Sequence, residues 1–417
     1  MESLISQQAS SNGDASAHTS PRPASAQDDR AAPKRLVILG ATGSIGRSCA
    51  QVLEDSSGQF AVAAVAGGRD GAALGRAAIA LGAPFAAIAD PAGYPALKAA
   101  TAGRRIETAA GPDAVVEAAL READLVVAAI VGTAGLAPTF AAIEAGRAVA
   151  LANKETLVCA GRAVMAAARL SGARILPLDS EHNAIFQAMA GCDAREIVRM
   201  TLTASGGPFR EWDAERIGRA TVAQALAHPN WAMGAKVTID SASLMNKGLE
   251  LIEAHHLFGM PADRLDVLIH PQSVVHGLIA FADGSVTAGM AAPDMKTPIA
   301  HCLAYPDRLG SGGRVLDLAA VGQLSFERPD LARFPALGLA IAALGEGGGA
   351  PTALNAANEI AVEAFLAQRI GFPEMARLVE AVLEQSGRAG ELSACATVAQ
   401  ALAVHHMARD RARALLA

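Results

Sequence analysis

The sequence predicts an α/β protein in three parts: an N-terminal parallel sheet covered by helices, an α+β middle, and an all-helical bundle at the C-terminus. Three patterns carry that expectation. Short apolar runs alternate with Ala-rich helical stretches from Arg35 to Asp179, the rhythm of βαβ units. After Gly191 strand-like runs follow one another more closely, and from Thr352 to Ala417 the chain reads as helices rich in Ala, Leu and Glu. At 417 residues the chain exceeds one ordinary core and fits several domains of ~100–200 residues each.

Residues 1–33 are rich in Ser, Ala, Gln and Asp and lack the apolar core of a secretory signal. Asp14, Asp28 and Asp29 argue against a transit peptide, so a disordered tail is expected there. The runs 36–39, 61–66, 86–89, 125–131, 148–152 and 175–178 then read as strands of a parallel sheet within a dinucleotide domain spanning 34–178. The stretch 125–143 carries no charge, which raises the question of a membrane span of ~20 residues. Gly132, Gly135 and Pro138 divide it instead into a buried strand, a turn and a short helix. Runs 197–204, 237–239, 265–269, 274–280 and 285–289 form the second sheet, in a catalytic domain spanning 179–308. A Gly-rich linker over 309–338 leads to a helical domain over 339–417.

Hydrophobic residues make up 52% of the chain but aromatics only 4%, which suits Ala-rich helices packed closely on a sheet. A net charge of -6 leaves no broad basic surface for a phosphate backbone, so nucleic acid is excluded as a partner and small molecules are favoured. The five cysteines are scattered, odd in number and without a C-x-x-C pair, which points to a reducing, cytoplasmic setting.

Run 36–39 leads straight into Gly40-Ala41-Thr42-Gly43-Ser44-Ile45-Gly46 and then a helical stretch from Arg47. Strand, glycine turn and helix in that order let backbone N–H groups at a helix N-terminus approach a pyrophosphate, a Rossmann-like arrangement. A P-loop needs four residues between its glycines followed by Lys, and here Arg47 follows Gly46. The second strand ends in Ala66-Gly67-Gly68-Arg69-Asp70, beside the expected adenosine ribose. Arg69 favours the 2′-phosphate of NADP, while Asp70 keeps NAD open.

Three carboxylates, Asp179, Glu181 and Glu250, stand among Ser, Asn, Lys and His residues suited to a phosphorylated substrate. Oxygen ligands without zinc-type Cys or His pairs favour Mg²⁺ or Mn²⁺. Asp179 sits at a strand end, and two residues on in extended chain Glu181 points to the same side. Asn246, Lys247 and Glu250 share a helix face, although that spacing alone is also that of an ordinary solvated pair. The turn Thr203-Ala204-Ser205-Gly206-Gly207-Pro208-Phe209 offers hydroxyl and N–H groups to an anion. His228-Pro229-Asn230-Trp231-Ala232-Met233-Gly234 joins an imidazole to one of two tryptophans among turn-forming residues. It reads as a lid over 228–236, with a buried Trp231 as the competing reading.

Together these segments resemble the 1-deoxy-D-xylulose 5-phosphate reductoisomerase family, through GATGSIG, LANKETLV, PLDSEHNAIFQ, LTASGGPFR, HPNWAMGAKVTIDSASLMNKGLELIEAHHLF, IHPQSVVHG and PDMKTPIAH. The resemblance implies an NADPH domain, a catalytic domain with a lid and a helical domain in a homodimer. It implies NADPH contacts at Thr42, Gly43, Ser44, Ile45, Gly67, Gly68, Arg69, Asn153, Glu155 and Gly234. Asp179, Glu181 and Glu250 would ligate Mg²⁺ or Mn²⁺, with Co²⁺ a further candidate. Lys154, Ser180, Glu181, Ser205, His228, Ser241, Asn246, Lys247 and Glu250 would hold a sugar phosphate. Lys154, Asp179, Glu181, His228 and Glu250 would serve catalysis, and Trp231 and Met233 the lid. Family members often read A-G-K/R-N after the second strand, whereas this chain has Ala66-Gly67-Gly68-Arg69-Asp70. Two other readings share the first domain: a homoserine- or semialdehyde-type dehydrogenase, needing no such metal, and a non-catalytic NADP sensor.

Overall fold

The computed structural model describes residues 32–417 apart from Ser57, Ala232, Ser311 and Ala394, so 1–31 of the expected tail lie outside the described residues. Seven strands form a wholly parallel sheet: β1 (Lys34–Leu39), β2 (Phe60–Gly67), β3 (Phe85–Ile88), β4 (Glu107–Ala110), β5 (Leu125–Ala128), β6 (Ala148–Leu151) and β7 (Ile175–Pro177). Their order is β4-β3-β2-β1-β5-β6-β7, which reverses direction beside β1. The two halves part there, leaving a crevice beyond the carboxyl ends of β1 and β5. The central strands are buried on both faces, Leu36, Val37 and Ile38 completely so, as a sheet covered by helices on both sides requires.

β4 is the strand that apolar periodicity did not announce: Glu-Thr-Ala-Ala is a half-exposed edge with no hydrophobic run to mark it. β5 stops at Ala128, short of the expected Val131, because the chain must turn through Gly132 at φ 76° into the helix Leu136–Glu144. Among the described residues no helix is long and apolar enough to cross a membrane.

The second sheet is mixed: β8 (Ile197–Ala204), β9 (Leu265–Ile269), β10 (Val275–Phe281) and β11 (Val286–Met290) lie in the order β11-β10-β8-β9. β8 and β9 are parallel, and β10 is antiparallel to β8 and β11. Helix Ser180–Ala188 lies across it. A Cβ at Gly277 would come within 2.6 Å of Ile185, and one at Gly289 within 2.6 Å of the Ala184 carbonyl, so glycine is what lets the helix settle. Residues 237–239, expected as a strand, belong instead to helix Ala235–Ala242. β-branched residues fill a pleated surface well, but here Thr238, Ile239 and Ala242 are buried by neighbouring helices, and packing overrides the weak local preference.

Helices Pro335–Glu346, Ala350–Leu366, Phe372–Arg388 and Val398–Leu416 close the structure, the first starting inside the stretch expected as linker. Ala350–Leu366 is central to them, packing on both longer C-terminal helices and on helix Glu155–Ser171. One continuous hydrophobic cluster runs from Leu39 and Leu157 through Leu202 and Leu249 to Leu354 and Val379. The N-terminal sheet, the second sheet and the C-terminal helices therefore bury their faces against one another. That shared core fixes the helix ends that carry the site.

Candidate active site

The crevice opens into a cavity of about 490 Å³ lined by residues that follow strands of the parallel sheet, by residues of the second sheet and by helix Met245–Phe258. Its nucleotide side is made of backbone. Gly40 turns at φ +90°, where a Cβ would stand 2.5 Å from the Ala129 carbonyl, and a Cβ at Gly46 would stand 2.4 Å from the Gly40 carbonyl. Helix Ser44–Asp55 follows with Gly43 as an N-cap that makes no side-chain bond, so its first N–H groups stay available. Gly43, Ser44 and Ile45 line the cavity; Thr42 does not, and its carbonyl accepts from the Arg47 guanidinium.

At the end of β2, Gly68 and Arg69 lie outside the cavity and exposed, the Arg69 side chain 91% so, with Asp90 3.7 Å away. Asp70 is committed elsewhere: its carboxylate caps helix Gly71–Ala80 by accepting from Ala73 N at 2.8 Å. The residue that left NAD open thus has a structural task, while the cation beside it stands exposed with only Asp90 near it. Asn153 lines the cavity while its amide donates to the Gly132 carbonyl at 2.9 Å and accepts from Thr156 N at 2.8 Å, bracing the loop after β5.

The opposite side is made of charged side chains. Asp179 is the N-cap of helix Ser180–Ala188, its Oδ1 accepting at 3.2 Å from the N–H of Glu181, which stands in the first turn. Their convergence is a property of a helix start, which corrects the extended-chain reasoning: the chain turns immediately after Asp179. Glu250 arrives from helix Met245–Phe258. Carboxylate oxygens of Asp179, Glu181 and Glu250 lie within 4.8 Å of one another, the single such group of three among the described residues. Two ammonium groups sit among them. Lys154 Nζ is 3.0 Å from Asp179 Oδ2, 3.0 Å from Glu250 Oε1 and 2.8 Å from Asn246 Oδ1, and Lys247 Nζ pairs with Glu250 and lies 3.4 Å from Glu181.

Burial of like charges shapes their protonation. It opposes ionisation of Asp179, yet Lys154 and His182 outweigh it and hold the carboxyl well below the usual range. Burial pushes Glu181 up to about 7, only partly offset by Lys247. Burial opposes the charge of Lys154, but Asp179 and Glu250 keep it protonated. An all-oxygen donor set carrying excess negative charge fits a hard dication. Behind it, His182 Nε2 is 2.9 Å from the Glu250 carbonyl, and its Nδ1 faces Asp179 at 3.2 Å and Glu253 at 3.5 Å.

Gly206 and Gly207, at φ +87° and +67°, bring the turn after β8 against the carbonyl of Ser241. Ser205 Oγ accepts from Gly207 N at 3.1 Å and meets His228 Nε2 at 3.2 Å. His228 Nδ1 accepts from the N–H groups of Asn230 and Trp231, so a neutral ring carries its proton on Nε2, facing Ser205. Ser180, Ser241, Asn246 and Lys247 line the same wall. Trp231 and Met233 are half-buried over the cavity, the indole 6.3 Å from the His276 ring, so Trp231 is neither a core residue nor an open one. Gly234 lines the cavity and is the N-cap of helix Ala235–Ala242.

Sequence reasoning passed over Lys236 and Asp240. Both line the cavity, and Lys236 Nζ lies 3.0 Å from Glu155 and 3.0 Å from Asp240. The signal was an i, i+4 pair hidden by the strand reading of 237–239. His276 was also missed; burial pushes it down to about 4, leaving it neutral beneath the Trp231 ring.

Three family models match the chain: 1-deoxy-D-xylulose 5-phosphate reductoisomerase over residues 36–161, its C-terminal domain over 175–258, and the DXP reductoisomerase C-terminal domain over 290–411. A 1-deoxy-D-xylulose 5-phosphate reductoisomerase of Rhodopseudomonas palustris (strain BisB5) is 55% identical over 383 residues, 92% of this chain and 94% of the relative. That of Bradyrhizobium diazoefficiens is 53% identical over 385 residues, 92% of this chain and 95% of the relative. The solved reductoisomerase of Zymomonas mobilis in complex with NADPH superposes with a TM-score of 0.86 at 45% identity, covering 92% of this chain and 99% of that one. A DOX-P reductoisomerase in complex with NADPH, fosmidomycin and magnesium superposes with a TM-score of 0.88 at 42% identity, over 92% and 98%.

Proposed function

The chain belongs to the 1-deoxy-D-xylulose 5-phosphate reductoisomerase family, and from that premise we propose that it converts 1-deoxy-D-xylulose 5-phosphate to 2-C-methyl-D-erythritol 4-phosphate with NADPH and a divalent cation, in isoprenoid precursor synthesis. The observation that carries the reading is the meeting of a backbone-built nucleotide side and a three-carboxylate cluster in one cavity. A dehydrogenase sharing only the first sheet, or a sensor, would leave those buried acids without a task.

Asp179, Glu181 and Glu250 would hold Mg²⁺ or Mn²⁺, and the ion, when bound, supplies Lewis acidity to adjacent oxygens of the substrate. The chain's own residues do the rest. Lys154, already charged and donating toward Asp179, Glu250 and Asn246, offers N–H donors to the reacting oxygens. Glu181, whose carboxylate accepts from Ser180 Oγ at 2.5 Å and lies 3.4 Å from Lys247 Nζ, is the group that accepts and returns a proton. Ser205, Ser241, Asn246 and Lys247 take the phosphate, with Ser180 beside the reacting carbons. His228 donates from Nε2 on the Ser205 side. Trp231 and Met233 close over the sugar and exclude water during rearrangement and reduction.

On the nucleotide side Thr42, Gly43, Ser44 and Ile45 receive the pyrophosphate, Gly67, Gly68 and Arg69 the 2′-phosphate, and Asn153, Glu155 and Gly234 the nicotinamide half. The five free cysteines support a cytoplasmic setting, and the exposed edge strand β11, with Val286 and Met290 open, supports a homodimer. The functional test is loss of nicotinamide absorbance when 1-deoxy-D-xylulose 5-phosphate and Mn²⁺ are added to the protein. Abolition by a chelator and recovery with Mg²⁺ are expected; oxidation of NADPH that ignores the sugar phosphate or the chelator contradicts the reading.

A further inference from the structure

Helix Ala350–Leu366 is buried along nearly its whole length, yet three of its buried positions are polar. Thr352, Asn355 and Asn358 are 1%, 0% and 3% exposed and recur every third residue, on one side of the helix. A purely apolar bundle would be better served by Ala or Leu there, because a buried amide costs free energy unless it is bonded. Thr352 Oγ1 donates to the Cys159 carbonyl at 2.8 Å, beside the kink at Ala160 that separates the first turn of helix Glu155–Ser171 from the rest. Asn358 bonds a residue that lines the cavity. Its Nδ2 donates to Asp240 Oδ1 at 2.8 Å; Asp240 Oδ2 lies 3.0 Å from Lys236 Nζ; and the same ammonium lies 3.0 Å from Glu155 Oε1.

This chain of charge-assisted bonds starts in the C-terminal helices, passes through the helix that follows the lid, and ends at the helix that follows β6. We propose that Asn358 is a positioning residue for the reductive half of the reaction: by holding Asp240 it fixes Lys236, and through Lys236 it fixes the Glu155 carboxylate at the nicotinamide cofactor. The inference rests on the reading that Glu155 faces NADPH. Asp240, 1% exposed, needs a donor on each oxygen. With the amide gone, the unsatisfied carboxylate draws the Lys236 ammonium to itself, and Glu155, 4% exposed, loses the partner that lets it stay ionised. None of the chain passes through Asp179, Glu181 or Glu250. Cofactor affinity should therefore change while cation and sugar phosphate affinity do not.

The test uses the full-length protein, with NADPH binding followed by nicotinamide fluorescence and with separate KM values for NADPH and the sugar phosphate. Asn358→Leu should weaken NADPH binding about tenfold, the scale of one lost charge-assisted hydrogen bond, and leave Mn²⁺ affinity and the sugar phosphate KM within about twofold. Lys236→Met should do at least as much, and the double variant no more than Lys236→Met alone, because both act on one link. Unchanged NADPH affinity in Asn358→Leu, effects that multiply in the double variant, or an equal loss of Mn²⁺ and sugar phosphate binding would each overturn the proposal. Should Asn358→Leu fail to fold, Asp240→Asn probes the same link with the shape preserved: weakened NADPH binding supports it and unchanged binding overturns it. A wild-type protein that binds no NADPH overturns the functional reading itself, a result distinct from all of these.

Discussion

The two sides of the cavity solve the problem of binding anions in opposite ways. The pyrophosphate end of the nucleotide side uses helix N–H groups and glycines, holds its shape by steric exclusion at Gly40 and Gly46, and needs no buried charge. The metal and phosphate side gathers three carboxylates and two ammonium groups in a desolvated wall, held together only because opposite charges interleave. The first should fail when volume is added, and a change of charge at its rim should alter cofactor preference without disturbing the fold. The second should tolerate small changes of volume and fail when charge is altered.

The largest expected effect is on the charged side. Asp179→Asn keeps shape and removes one ligand charge beside Lys154, so turnover should fall roughly 10²–10³-fold and Mn²⁺ affinity should fall with it, both read by steady-state kinetics and calorimetry. Unchanged turnover and unchanged Mn²⁺ affinity would break the comparison. Next, Gly46→Ala adds one methyl where the Gly40 carbonyl stands and should destabilise the fold by about 1–3 kcal/mol, visible as a lower Tm together with weakened NADPH binding. A stable Gly46→Ala with normal NADPH affinity would show that the turn is not sterically set.

Arg69→Ala removes a rim charge and should raise the KM for NADPH about tenfold while leaving the KM for NADH unchanged. Equal effects on both cofactors would detach Arg69 from the 2′-phosphate. Asp70→Asn, which keeps an oxygen to cap helix Gly71–Ala80, should alter neither. The smallest effect is Trp231→Ala, expected to raise the sugar phosphate KM several-fold at constant Tm, since the indole covers the cavity without anchoring the core. A fall in Tm with no kinetic change would make Trp231 a packing residue.

The same contrast explains what could be read from the sequence. Backbone requirements leave residue-level marks, so the strand, the three glycines and the helix after them were legible as a unit. Residue types on the charged side were legible too: Asp179, Glu181 and Glu250 stand together as expected. Their geometry was not, because an N-cap followed by a first-turn Glu looks like alternating extended chain until the helix start is known. Lys236 and Asp240 escaped for a related reason, hidden in a β-branched stretch that tertiary packing makes helical. β4 escaped because a short polar edge strand has no apolar period. Asn358, within an Ala-rich helix, gave no local sign that its amide reaches a carboxylate 118 positions away in sequence.

The central claim is that both sides act on one substrate in one cavity. Single turnover with NADPH deuterated at the transferred position, 1-deoxy-D-xylulose 5-phosphate and Mg²⁺ tests it most directly, with the product examined by mass spectrometry and NMR. One deuterium on the reduced carbon of a rearranged product, formed only with the divalent ion present, is the expected result. Oxidised nicotinamide beside an unlabelled or unrearranged sugar phosphate would contradict the account.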